Sequence, residues 1–384
     1  MRKFSLLILA IILLLSNFMP TVMAEELVES GKSAVLLEVT TGQILYEKNL
    51  SMLLEPASMT KMMPMYLILE AIESGRMTWE DEVTVSEYAA SLGGTQIFLE
   101  PGEVMSVRDL FASVAIASAN DAVTALGEAL SGTYELFIAL MNERASEFGM
   151  HNTVFKNSTG LPADGHVTTA LDMALLASRL IAYFPQVTEF TTLYESYVRE
   201  NTDEPFWLVN TNKLIRYVDG VDGLKTGSTQ AAGYCLAATA KRGEMRVVAV
   251  VMGADTSQNR NREVARLIEF AFAQYELHPR LATGVVVGNH ENILARGRKF
   301  EVVTTAPVNL LVDSSQQIGE ETTALIFYDD ITMPIKPGDV IGRLVYTVAG
   351  IGTYEVGLTV ATEVPRTSFG VLWMNMLGKL FFGG

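Results

Sequence analysis

Ser58 and Lys61 stand one helical turn apart in Ser58-Met59-Thr60-Lys61, so a hydroxyl and an amine share one face of the helix expected to begin there. A serine is a poor nucleophile until a base takes its proton, and a lysine becomes that base when its pKa is pulled down. S-x-x-K alone recurs by chance in long chains. Here Ser118-Ala119-Asn120 and then Lys225-Thr226-Gly227 follow in order. A second ammonium at Lys225, if close, would lower the pKa of Lys61 further. Each piece has a plainer use. Ser118 and Asn120 could cap a helix, Lys225 could sit in a Gly-rich surface turn, and Thr226-Gly227 could merely turn into a strand. The three in order favour the catalytic reading.

At 384 residues the chain is long enough for two domains. Its hydrophobic share, 49%, excludes a disordered polymer. The net charge of −16 argues against nucleic-acid binding, which needs a basic face, and against a broad electrostatic grip on an anionic membrane. The surplus carboxylates are read as keeping the chain soluble. Cys235 is the single cysteine, so no internal disulfide forms. It lies in the apolar run Gly233-Tyr234-Cys235-Leu236-Ala237 and is expected in a buried strand. The four histidines, His151, His166, His278 and His290, form no pair at metal-ligand spacing. No metal and no cofactor are expected.

Residues 1–24 read as a signal peptide: Arg2 and Lys3, the apolar run 6–15, then Val22-Met23-Ala24 as the cleavage site. Residues 25–277 mix strands and helices. Strands are expected at 34–39, 44–46, 233–240 and 246–252, and helices at 58–74, 107–118, 119–130, 133–148, 169–183 and 261–275. From 278 to 364 short β runs alternate with turns, at 300–304, 308–312, 324–328, 340–348 and 354–361. This stretch is expected to be a small all-β domain serving as spacer or scaffold. The segment 365–384 crowds Phe369, Val371, Leu372, Trp373, Met376, Leu377, Leu380, Phe381 and Phe382 beside Arg366 and Lys379, with no acidic residue. It is too short to span a bilayer and reads as an amphipathic helix lying in the membrane interface.

The three motifs resemble those of the serine D-alanyl-D-alanine carboxypeptidases, the low-molecular-weight penicillin-binding proteins. The likeness extends through Glu55-Pro56-Ala57, Asp121-Ala122, Asn157-Ser158-Thr159-Gly160-Leu161-Pro162 and Val221-Asp222-Gly223-Leu224. It implies an α/β (α+β) domain, with a five-stranded antiparallel sheet and an inserted helical lobe, followed by the β-rich domain and the tail. It implies export to the outer face of the cytoplasmic membrane, with peripheral attachment. The implied partners are peptidoglycan stem peptides ending in D-Ala-D-Ala and β-lactams as covalent inhibitors.

The resemblance also implies roles. Ser58 attacks the substrate carbonyl, Lys61 takes its proton, Ser118 relays a proton to the leaving nitrogen, and Asn120 holds Lys61 or the substrate amide. Lys225, Thr226 and Thr229 meet the substrate carboxylate, Gly227 lets the substrate lie close, and the N–H groups of Ser58 and Ser228 hold the oxyanion. Arg260, ahead of Glu263 in the closing helix, is a further carboxylate partner. Asp172 and His166 are read as loop- and helix-bracing, with Thr169 the N-cap. Three positions depart from the family pattern. Pro64 falls in the second turn of the expected helix, where it would remove a backbone bond. Ser228 stands where some relatives have histidine, and Thr211 where some have arginine. A serine β-lactamase shares the motifs but needs a glutamate-bearing E-x-x-x-N loop, for which no convincing segment lies between Asn120 and Lys225. A D,D-endopeptidase starts from the same acyl-enzyme and stays open from sequence, as does a non-enzymatic cell-wall scaffold.

Overall fold

The computed structural model describes residues 26–200 and 202–373. The expected signal peptide and residues 374–384 of the expected tail helix lie outside them. The sheet that organises the molecule has β1 (Ser33–Glu38), β2 (Ile44–Lys48), β7 (Val221–Thr229), β8 (Gly233–Arg242) and β9 (Met245–Ala254). Its order is β2-β1-β9-β8-β7, antiparallel throughout. Side chains on a strand alternate between faces. Val35, Val248, Val250 and Met252 join the larger core, while Ala34, Leu36, Val247, Ala249 and Val251 join a second one. Central strands covered on both faces read as unbroken apolar runs, which β9 does.

The Ser257–Gln274 helix covers one face through Val264, Leu267, Ile268 and Ala271. It begins four residues before the expected start because Thr256 caps it, accepting the Asn259 N–H at 3.1 Å. The polar first turn carries no apolar period to betray it. The other face is covered by the helical lobe: Met62–Glu73, Asn120–Ser131, Tyr134–Glu147 and Ala170–Tyr183. Thr169 caps the last of these, as expected. Two small ladders complete the lobe, β3 (Glu82–Thr84) with β4 (Val104–Ser106) and β5 (Glu195–Val198) with β6 (Phe206–Val209).

The helix expected over 107–118 is α-helical only over Val107–Ala112. Ser113–Ala117 is a π turn, and Ser118 closes it in the left-handed conformation at φ 70°. Such turns inside helices gather at functional sites.

After Gln274 the chain turns directly from helix to strand, Tyr275 being extended. β10 (Tyr275–Leu281) pairs with β13 (Val308–Asp313). A second sheet is built from β11 (Val286–Glu291), β12 (Lys299–Thr304), β14 (Glu321–Phe327), β15 (Gly342–Val348) and β16 (Gly352–Thr359), in the order β11-β12-β16-β15-β14. Val302, Leu310, Leu344 and Leu358 centre its own core. The division expected at 277–278 falls inside β10. That strand and β11 escape the sequence reading because Pro279 and Gly288 interrupt them.

Candidate active site

Ser58 and Lys61 lie on a 3₁₀ turn, Ala57–Lys61, that runs into the Met62–Glu73 helix. In a 3₁₀ turn side chains three apart eclipse each other, which stacks the amine over the hydroxyl. Lys61 Nζ is 3.2 Å from Ser58 Oγ. Pro64 is therefore the third residue of the α-helix, not in its second turn as expected. Its missing N–H is one that a helix leaves unpaired anyway, so it breaks nothing.

Lys61 is fully buried. Its Nζ donates to Asn120 Oδ1 at 2.7 Å and to the Thr159 carbonyl at 2.6 Å. Burial holds its pKa well below that of an ordinary lysine; the nearby Lys225 lowers it further, and Asp121 opposes both. A neutral amine has two N–H bonds and one lone pair. In that state the two N–H bonds can go to the two carbonyl oxygens, which leaves the lone pair for the Ser58 hydroxyl 3.2 Å away.

Asn120 Nδ2 donates to the Gly93 carbonyl at 2.7 Å. Ser118 and Asn120 are buried, and the N-cap of the Asn120–Ser131 helix is Ala119, with no side-chain cap. Capping thus does not explain either residue. Asp121, buried beneath them, accepts the Ile97 and Leu99 N–H groups and so anchors the loop that carries Gly93.

Residues 156–166 clamp the Ser58 turn from the other side. Gly160 has φ +80°, and a Cβ there would stand 1.9 Å from the Ala57 carbonyl oxygen and 2.8 Å from Ser58 N. Thr159 supplies its carbonyl to Lys61. The His166 ring accepts the Lys156 N–H on Nδ1 at 3.1 Å, so Nε2 carries the proton and donates to Thr60 Oγ1 at 2.9 Å. Burial brings His166 down to about 4, which keeps it neutral. Asp172 braces a loop, accepting the Asn152 N–H and the Thr153 hydroxyl.

The third wall is β7, the edge strand of the main sheet. A Cβ on Gly227 would stand 2.9 Å from both the Pro56 carbonyl oxygen and Ser58 N. A close approach to the turn that carries Ser58 thus demands glycine here, in addition to the approach to substrate that the sequence reading assigns it. Lys225 is buried, with Nζ donating to the Thr226 carbonyl at 3.2 Å. Burial, then the Arg260 guanidinium, brings it down to about 7. Thr226 donates its hydroxyl to Thr211 Oγ1 at 2.7 Å. Ser228 is exposed. Thr229 Oγ1 accepts the Ala232 N–H at 2.9 Å.

Arg260 is buried. Nε and Nη2 donate to Asn261 Oδ1 at 3.0 and 2.7 Å, and Nη1 donates to the Cys235 carbonyl at 3.4 Å. It is not a solvated helix start: the side chain is buried and held by Asn261.

A profile of the D-alanyl-D-alanine carboxypeptidases matches residues 21–256. The chain belongs to that family. It is 43% identical over 375 residues to the D-alanyl-D-alanine carboxypeptidase DacF of Bacillus subtilis, covering 96% of each chain. Penicillin-binding protein 5 from Haemophilus influenzae superposes with a TM-score of 0.77 at 28% identity, over 88% of this chain and 98% of that one. Penicillin-binding protein D2 from Listeria monocytogenes, solved in its ampicillin-bound form, superposes at 0.57 with 35% identity, over 63% of this chain and 98% of that one. The fold expected for the family, a five-stranded antiparallel sheet with an inserted helical lobe, is the one observed.

Proposed function

We propose that this penicillin-binding carboxypeptidase removes the terminal D-alanine of peptidoglycan stem peptides through an acyl-enzyme on Ser58. Ser58 Oγ attacks the carbonyl of the D-Ala-D-Ala bond while its proton passes to the Lys61 lone pair. The N–H groups of Ser58 and Ser228 face the developing oxyanion. The proton travels by way of Ser118 to the departing nitrogen, the C–N bond breaks, and D-alanine leaves. Water then attacks the ester, with Lys61 again taking a proton, and Ser58 is regenerated. Because β7 is an edge strand, its outward N–H and C=O groups can pair with an extended substrate backbone.

Lys225, with Thr226 and Thr229, receives the substrate carboxylate. An arriving anion stabilises protonated Lys225, so binding raises a pKa that the empty site holds near neutrality. Arg260 acts through Lys225, whose pKa it lowers, and not by contact with substrate. A β-lactam enters by the same attack and leaves a longer-lived ester.

The observation that carries this reading is the Lys61 amine, buried, held by two carbonyl oxygens and 3.2 Å from Ser58 Oγ. D-alanine release from a pentapeptide, measured with the parent and Ser58→Ala beside fluorescent-penicillin labelling, tests it. Both signals vanish in the variant while folding is kept. Release by the variant would refute the assignment.

The enzyme acts outside the cytoplasm, where its substrate lies. Residues 25–277 carry the chemistry and 278–364 hold it at a distance from the membrane. The tail beyond 365 lies in the membrane interface. Residues 369–373 are helical, with Phe369, Val371 and Trp373 exposed. Among the described residues no helix is long and apolar enough to cross a membrane.

A further inference from the structure

The loop between β11 and β12, residues 292–298, is bonded to the start of the tail. Arg296 N–H donates to the Pro365 carbonyl at 2.9 Å, Thr367 N–H donates to the Leu294 carbonyl at 2.8 Å, and Ala295 and Arg366 form an isolated bridge. This fixes the loop beside the exposed residues that begin the tail helix. Ile293, at the loop's tip, is 68% exposed, and Phe369 and Trp373 are 79% and 54% exposed. Phe369 and Trp373 stack with ring centroids 6.4 Å apart.

The charge of this surface is opposite to that of the chain. Arg296, Arg298, Lys299 and Arg366 are all exposed. None of the four is in an ion pair within the described residues, and the segments 292–299 and 364–373 contain no carboxylate. Glu291 lies across from Lys299 in the β11–β12 ladder, and exposed Glu363 stands three residues before Arg366; these two carboxylates offset two of the four charges and leave Arg296 and Arg298 unopposed. The chain as a whole has a net charge of −16. An arginine cluster around exposed Ile, Phe and Trp, on a protein otherwise repelled by anions, matches the headgroup and upper acyl layer of an anionic bilayer. We infer that the 292–298 loop is a second lipid contact, which docks with the tail and fixes how the β domain stands on an anionic membrane. The inference rests on the tail reading above. A single amphipathic segment tethers a protein without orienting it, whereas two contacts joined by backbone bonds define a plane.

The test uses the exported chain with its tail intact, sedimented with phosphatidylcholine vesicles with and without phosphatidylglycerol. Four forms are compared: the parent, R296Q/R298Q, Ile293→Ser and F369S/W373S. Thermal melting followed by circular dichroism serves as the folding control, and penicillin labelling shows that the Ser58 site is untouched. With phosphatidylglycerol present, R296Q/R298Q is expected to bind about twenty-fivefold more weakly than the parent, from roughly fivefold per arginine. On phosphatidylcholine alone the two bind equally. Ile293→Ser is expected to weaken binding to both kinds of vesicle. If R296Q/R298Q binds anionic vesicles as the parent does while F369S/W373S fails, the tail reading stands and the loop contact is overturned. If the parent sediments with neither vesicle, both readings fall.

Discussion

The catalytic and β domains bury polar groups very differently. The catalytic domain buries Lys61, Lys225, Asn120, Asp121, His166 and Arg260. In the β domain the buried polar side chains among the described residues are Thr304 and Thr359. Removing a charge from water is expensive unless its partners are built in. The catalytic half bears that expense around Ser58, and the β domain, held together by an apolar core, avoids it.

Ser58→Ala gives the sharpest contrast between the halves. D-alanine release should fall by a factor on the order of 10⁴ or more with the melting temperature unchanged. Lys61→Met should cost about 10²–10⁴ in the rate of penicillin acylation, the usual range for a lost general base. If Lys61→Met acylated at the parent rate, the contrast would lose its meaning.

Gly160→Ala probes the clamp by stability instead of rate. The new methyl group would collide with the Ala57 carbonyl at a positive φ, and the loss should exceed about 3 kcal/mol in urea unfolding. His166 gives a pH-dependent effect. Its pKa is about 4 in the fold against 6.5 for the free side chain. Between those values the unfolded chain binds the extra proton, so stability is complete above about pH 6.5 and lost as pH falls toward 4. That gap corresponds to about 3 kcal/mol. Denaturant melts of the parent and His166→Gln across this window should converge as pH falls, and parallel lines would show that the buried ring does not titrate this way. At the small end, Val302→Ala in the β core should cost about 1–2 kcal/mol and leave kcat/KM on a soluble peptide unchanged.

Much of the site is legible in the sequence because it is written in side chains at recognisable spacing. Ser58, Lys61, Ser118, Asn120 and Lys225 all belong to segments that the fold packs together. Backbone partners have no letter of their own. The carbonyls of Thr159 and Gly93 hold Lys61 and Asn120, yet nothing in the sequence marks a carbonyl as a ligand. Asn157-Ser158-Thr159-Gly160 is conspicuous as a string, but its task of pressing on Ala57 follows only from packing. Likewise Pro64 misleads because the turn carrying Ser58 is 3₁₀ and only then α. In the fold, the alternating and unbroken apolar runs reveal the main strands, while β10 and β11, carrying Pro279 and Gly288, offer no clean period.

The pH dependence of Ser58 acylation by benzylpenicillin, followed by intact mass, tests the neutral Lys61 most directly. The drug's mass should appear on the peptide containing Ser58, and the rate should reach its plateau well below pH 10.5, the ordinary value for a lysine. A rate that keeps climbing through pH 10, or a protein that never gains the mass, would contradict the account.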